Sequence, residues 1–154
     1  MLQLGQLSLK GRALRLLSAR EHSRAELERK LAGHEQEAGQ LKQVLDELHA
    51  KDFINEQRVV ESVLHRRAAK LGAVRIRHEL QGKGLQGEMV QEAVARLQAS
   101  EFERAREVWS RKFEDLPASP AERGKQMRFL ASRGFGGETI RRVLSGESAA
   151  DPPA

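Results

Sequence analysis

Leu80-Gln81-Gly82-Lys83-Gly84-Leu85 and Leu130-Ala131-Ser132-Arg133-Gly134-Phe135 are one phrase written twice, and the fold follows from reading them together. In each, a leucine stands four residues before a glycine and a large apolar residue follows that glycine directly. A helical pattern then resumes, as Glu88, Val90, Ala93 and Val94 in one copy and Glu138, Ile140, Val143 and Leu144 in the other. A more degraded copy lies upstream, where Leu31 leads into Gly33-His34-Glu35 and then Leu41, Val44 and Leu45. Leu31, Leu80 and Leu130 are 49 and then 50 residues apart, and Leu14, Val63 and Phe113 stand 17 residues ahead of them inside earlier segments of helical spacing. Self-similarity at a fixed period marks a tandem array. The expectation is an all-α chain of three tandem three-helix repeats at 7–51, 52–100 and 101–146, with a tail at 147–154.

Composition agrees with this. With 39% hydrophobic but only 4% aromatic and 32% charged residues, the 154-residue chain has little material for one deep core. Thin cores stacked on their neighbours suit it better and predict an elongated molecule. The absence of cysteine excludes disulfides, thiolate nucleophiles and Cys-type zinc sites, and it suits a reducing compartment. Met1-Leu2-Gln3-Leu4-Gly5-Gln6-Leu7 has no basic region ahead of a long apolar run, and no stretch approaches the length of a membrane span. A cytoplasmic protein is expected. The tail Ser148-Ala149-Ala150-Asp151-Pro152-Pro153-Ala154 reads as disordered.

Apolar residues recur at helical spacing, as in Val60, Val63, Leu64 and Leu71, and no alternating strand pattern competes. Ser23-Arg24-Ala25-Glu26 and Ser119-Pro120-Ala121-Glu122 both predict capping boxes, with Pro120 where a missing N–H costs nothing. Asn55 is expected to cap the helix carrying Val59 to Lys70, and Gly72 to end it in the left-handed conformation. Gly84 and Gly134 are expected to close the second helix of their repeats. Pro117 marks a break between the first two helices of the third repeat.

A search for catalytic chemistry returns little. Gly82-Lys83-Gly84-Leu85-Gln86-Gly87 spells the dinucleotide fingerprint, but a helix precedes it where a strand is required. His22, His34, His49, His65 and His78 include no i, i+4 pair, and His34-Glu35 lacks a second histidine to complete a zinc motif, so solvent-facing or capping roles are expected. No turn presents a serine to a base, and the adjacent carboxylates Asp46 and Glu47 do not face each other. Trp109, aligned with Val59 by the 50-residue period, is read as a packing residue. No enzyme activity, cofactor or metal is expected.

Charge is the better functional signal. The net +5 is concentrated: Gln57 to Gly87 carries seven basic residues against Glu61 and Glu79, and Arg123 to Arg142 carries six against Glu138 alone. Such clustering points to a polyanion or an acidic protein surface. Arg66, Arg67, Lys70, Arg75, Arg77 and Lys83 in the second repeat, with Arg133, Arg141 and Arg142 in the third, are the candidate binding residues. A trihelical unit of this kind also resembles a helix-turn-helix reader, so a regulator acting directly on duplex DNA is the alternative.

Asn55-x-x-Arg58, Arg67-x-x-Lys70-x-Gly72 and Ile76-x-x-Glu79-Leu80-x-x-Lys83-Gly84-Leu85 closely resemble the central signature of the RecX family of bacterial recombination regulators. Leu14-x-x-Leu17-Ser18-x-Arg20-x-His22-Ser23-x-x-Glu26-Leu27-x-x-Lys30-Leu31 is similar to that family's N-terminal block, and Arg128-Phe129-Leu130-x-x-Arg133-Gly134-Phe135 to its C-terminal one. The resemblance spans about Leu7 to Gly146. It implies three tandem three-helix repeats in a curved, elongated module that binds the RecA filament on single-stranded DNA. It further implies inhibition of RecA's ATPase, strand-exchange and co-protease activities by a non-enzymatic protein. A monomer with weak, sequence-independent binding to free DNA is expected beside it.

Overall fold

The computed structural model describes residues 7–148, so the first six residues and the proline-bearing end of the tail lie outside the described residues. Among the described residues there are nine α-helices and no strand: α1 (Leu9–Ala19), α2 (Arg24–Leu31), α3 (Gln40–Ala50), α4 (Glu56–Arg67), α5 (Ala73–Gly82), α6 (Glu88–Ala99), α7 (Glu101–Lys112), α8 (Pro120–Ser132) and α9 (Gly137–Leu144). The chain is all-α, as expected.

Local chemistry sets several helix starts. At Ser23 the capping box is complete: its hydroxyl accepts from the Glu26 N–H at 3.1 Å, and the Glu26 carboxylate accepts from the Ser23 N–H at 3.1 Å. Asn55 accepts from the Arg58 N–H at 3.0 Å and caps α4. Ser119 likewise accepts from Glu122 at 3.1 Å, but the Glu122 carboxylate turns to the Ala118 N–H at 2.7 Å, so the expected second box is only half formed. The donor one residue before the cap takes the place of the reciprocal bond.

Three expectations about register and turns are corrected. Helix α4 stops at Arg67, where the Lys70 and Leu71 amides fold back onto the Arg67 carbonyl at 3.0 and 2.9 Å, so Lys70 lies beyond it. Gly72 is not left-handed, unlike Gly84 and Gly134 with φ of 79° and 89°. The third correction concerns α7. It begins 45 residues after α4, at 101 against 56, whereas α5 and α8 end 50 apart, at 82 and 132. The link bearing Pro117 between α7 and α8 is two residues longer than the link between α4 and α5, and α8 is three residues longer than α5, which together absorb the five-residue difference. Trp109 is therefore not the counterpart of Val59, and Phe113 falls just past α7. Trp109 still packs: it lies against the core around Phe102 and Leu130, and its indole N–H donates to Gln126 Oε1 at 2.8 Å.

The chain forms two compact units, one reaching to Ser62 and taking in Gly82–Leu85, the other holding Val63–Gln81 and the chain from Gln86 onward. In the first, Leu9, Ala13, Leu27, Leu31, Leu41, Leu45, Leu48 and Ile54 form a buried cluster. In the second, Phe102, Ala105, Val108, Leu130, Phe135, Ile140, Val143 and Leu144 do the same. The three repeat leucines are at most 2% exposed, so the periodicity reports the core directly.

The repeat glycines serve a tertiary joint that occurs once in each unit. In the first unit the turn at Gly84 sits on the start of α2: Ser23 Oγ donates to the Lys83 carbonyl at 2.6 Å, and a Cβ on Gly84 would come within 2.6 Å of the Ala25 methyl. In the second unit the turn at Gly134 sits on the start of α5. There the Gly72 N–H donates to the Arg133 carbonyl at 2.8 Å, and the Val74 N–H donates to the Gly134 carbonyl at 3.3 Å. A Cβ on Gly134 would collide with Arg75, and one on Gly72 with the Gly134 carbonyl. Gly72 is thus a close-approach glycine.

A glutamate completes each joint. Glu56, first residue of α4, accepts from the first helical N–H of α2, that of Arg24, at 3.4 Å. Glu101, first residue of α7, accepts from the corresponding N–H of α5, that of Ala73, at 2.8 Å. Its second oxygen accepts from Thr139 Oγ1 of α9 at 2.9 Å, so one buried carboxylate serves the N-terminal ends of two helices, where negative charge is favoured. One turn on, the Arg104 guanidinium donates to the carbonyls of Ala68, Leu71 and Leu97 at 2.8, 2.6 and 2.7 Å, just past the end of α4 and in the last turn of α6. The first turn of α7 therefore supplies an anion to helix starts and a cation to helix ends.

Glu101→Ala strands the buried Ala73 N–H and the half-buried Thr139 hydroxyl and should lower the unfolding free energy by about 2–4 kcal/mol, at roughly 1–3 kcal/mol per unsatisfied group. Glu103→Ala, on the exposed side of the same turn, should stay within about 0.5 kcal/mol. Urea unfolding of the two variants side by side checks this, and equal stabilities would contradict the joint.

Candidate binding surface

The nine candidate basic residues divide by environment. Lys83 belongs to the first unit's interior. Its ammonium is 3.3 Å from Glu26 Oε2, which Arg20 also holds at 2.6 Å, and the lysine side chain is 14% exposed. Burial by itself would raise the Glu26 pKa. Hydrogen bonds from Arg20 and the Ser23 N–H, with the Lys83 charge, outweigh it and hold the carboxyl down at about 2. Beside this cluster His22 is 1% exposed, contrary to the solvent-facing or capping role expected of it. Its Nδ1 lies 3.0 Å from the Arg20 carbonyl and so carries the proton, leaving Nε2 to accept from Lys30 Nζ at 3.2 Å. Burial, above all, lowers its pKa, and the Arg20 and Lys30 charges act in the same direction. In the turn between α1 and α2, His22 folds inward and its ring donates to the loop carbonyl of Arg20.

In the second unit, Arg66, Arg67, Lys70, Arg75 and Arg77 are exposed. Arg67 pairs with Glu79 at 3.2 Å, a partly solvated contact of little energetic weight. Arg75 reaches from α5 to the Ser132 carbonyl at 2.9 Å, at the end of α8. Arg142 is committed elsewhere: it lies 4.2 Å over the Phe102 ring and pairs with Glu147 at 2.7 Å. Arg141 pairs with Glu138 at 2.7 Å.

The joint at Gly72 and Gly134 brings Lys70 and Arg133 together. With Arg111 and Lys112 they surround an open hollow of about 230 Å³ floored by Val108 and Phe129. Arg133 lies 5.0 Å and Lys112 5.8 Å from the centre of the Phe129 ring, which meets Phe113 edge-on at 5.4 Å. The negative face of an aromatic ring holds such cations in place. No carboxylate lines the hollow. Arg111 and Lys112 escaped sequence reading because Glu107, Glu103 and Glu101 make α7 look balanced. Glu101 and Glu103 lie at the start of the helix, while Glu107 pairs with Arg111 at 2.8 Å and does not line the hollow. The arrangement has the chemistry of an anion-binding surface. Among the described residues no cluster of three His, Asp or Glu side chains is placed to hold a metal ion. No described helix is long and apolar enough to cross a membrane.

The Glu26 cluster generates a pH dependence. The folded state holds the Glu26 pKa at about 2, below its ordinary 4.5. Its contribution is therefore fully present above the ordinary value and lost as the pH falls through the folded one, amounting to about 3 kcal/mol at most. The stability difference between the native chain and Glu26→Gln should shrink over that interval, as followed by urea unfolding at stepped pH. A difference that does not vary with pH would contradict the ion-pair assignment.

Three family models match consecutive stretches: residues 10–48 match the first three-helix domain of RecX, 55–94 the second and 99–144 the third. The regulatory protein RecX of Leptothrix cholodnii is 52% identical over 139 residues, covering 90% of this chain and 88% of its own length. That of Herbaspirillum seropedicae is 49% identical over 138 residues, covering 90% of each. Two crystal structures share the fold at lower identity. A regulatory protein RecX has a TM-score of 0.75 at 17% identity, covering 89% of this chain and 71% of that one. RecX from Lactobacillus salivarius has a TM-score of 0.74 at 19% identity, covering 90% and 93%.

Proposed function

Because the chain belongs to the RecX family of regulatory proteins, we propose that it binds the filament formed by the RecA recombinase on single-stranded DNA. Binding there restrains the filament's ATPase, strand-exchange and co-protease activities. The observation that carries the reading is the hollow ringed by Lys70, Arg111, Lys112 and Arg133 and lined by no carboxylate. Exposed Arg66, Arg67, Arg75 and Arg77 extend the positive charge along α4 and α5. A cationic face of this kind meets acidic protein surface or phosphate through charge.

The mechanism is one of binding, without catalysis or cofactor. A filament repeats its surface, so a chain that touches several protomers at once gains affinity by multivalency. Restraint follows if one filament state offers the better fit, since a ligand shifts an equilibrium by its differential affinity. In this reading the protein acts as a monomer in the cytoplasm, and free DNA binds weakly and without sequence preference. Lys83 and Arg142 act through the folded structure instead.

Titrating the protein into RecA on single-stranded DNA should depress ATP hydrolysis at protein concentrations below that of RecA. No change at equimolar protein, with helical circular dichroism intact, would contradict the proposal. Arg66→Glu combined with Lys70→Glu should weaken inhibition by roughly tenfold or more, with stability altered by no more than about 0.5 kcal/mol. A sequence-specific footprint on duplex DNA without RecA would favour the helix-turn-helix regulator instead.

A further inference from the structure

Helix α8 buries one face and exposes an apolar residue on another. Gln126 and Leu130 are buried, yet Met127 is 43% exposed. Arg123, Met127 and Ala131 follow one another at i, i+4 and so form one strip. Along that strip lies an open hollow of about 310 Å³, floored by Met127, Phe135 and Ile140 and bordered by Arg123, Arg128 and Arg141. Arg123 and Arg128 make no ion pair among the described residues, while Arg141 is held by Glu138 at 2.7 Å. The site lies wholly within the second unit.

An apolar floor with a cationic border limits what can fill it. A phosphate backbone would satisfy the guanidinium groups and leave Met127 and the floor uncovered. A purely apolar segment would bury the floor and leave two arginines unmatched. Methionine is the adaptable side chain favoured where different apolar groups must be received, and planar guanidinium groups match carboxylates in two-point geometry. We propose that this hollow docks a segment of a partner protein in which a large apolar side chain is flanked by carboxylates. The apolar group would sit over Met127 and Ile140, with the carboxylates on Arg123 and Arg128. This is the arrangement of an interface with an apolar centre and a polar rim. The proposal is independent of the cationic surface around Lys70 and does not require RecA to be the partner.

The test is fluorescence anisotropy of the full chain with a labelled Glu-Glu-Leu-Phe-Glu-Glu peptide. Glu-Glu-Ser-Ser-Glu-Glu and Lys-Lys-Leu-Phe-Lys-Lys serve as controls. The first peptide should bind roughly tenfold or more tighter than either control. Met127→Glu should weaken it by a similar factor, with thermal unfolding unchanged, and so should the double variant Arg123→Glu with Arg128→Glu. Equal binding of the serine peptide would overturn the proposal, as would indifference to Met127→Glu. Displacement of the peptide by oligothymidylate that binds the native chain and the Met127→Glu variant equally would also overturn it, since a nucleic acid would then be the occupant.

Discussion

Everything in the second unit leans on the first turn of α7. Glu101 accepts hydrogen bonds from the starts of α5 and α9, and Arg104 donates to carbonyls just past α4 and in the last turn of α6. Helix ends carry the unpaired polar groups that folding must satisfy, and burying them without partners is costly. Two side chains three residues apart meet that requirement for four helices. The first unit shows a simpler form of the joint, with Glu56 serving the start of α2. A tandem array needs a repeatable contact between successive repeats, and inside each unit it is a carboxylate at one helix start beside a glycine turn that lets two backbones touch.

The same contact creates the cationic hollow. Lys70 comes from the link after α4 and Arg133 from the turn after α8, and these segments meet because the Gly72 N–H reaches the Arg133 carbonyl at 2.8 Å. Arg133 therefore contributes its backbone to the joint and its guanidinium to the surface over Phe129. Binding surface and joint cannot be altered independently at that residue. At Arg66 or Arg77 they can, because those exposed side chains take no part in the contact.

Much of the fold was legible because the signals were local or periodic. Leu31, Leu80 and Leu130 mark buried positions, Ser23 and Asn55 begin helices, and Gly84 and Gly134 adopt positive φ where the chain turns. The misreadings share a cause, since tertiary contact decided them. Gly72 looked like a helix terminator and is a point of close approach; His22 looked like a surface residue and is buried between a carbonyl and a lysine. Trp109 aligns with Val59 only under a period that the longer Pro117 link and the longer α8 break. Among the charged candidates, composition could not tell exposed Arg66 from Arg142, which lies over Phe102. Arg111 and Lys112 are masked in the sequence by Glu101 and Glu103 at the other end of α7 and by Glu107, which pairs with Arg111.

Hydrogen exchange at single amides tests the joint most directly. The Gly72 and Ala73 N–H groups precede or begin a helix and have no intrahelical partner, so in an isolated helix they would exchange as fast as loop amides. Protection at both should come close to that of Ile76 and Leu80 in the core of α5, because the Arg133 carbonyl and the Glu101 carboxylate hold them. Exchange at Gly72 and Ala73 at the rate of exposed loop amides, with Ile76 and Leu80 protected, would contradict it.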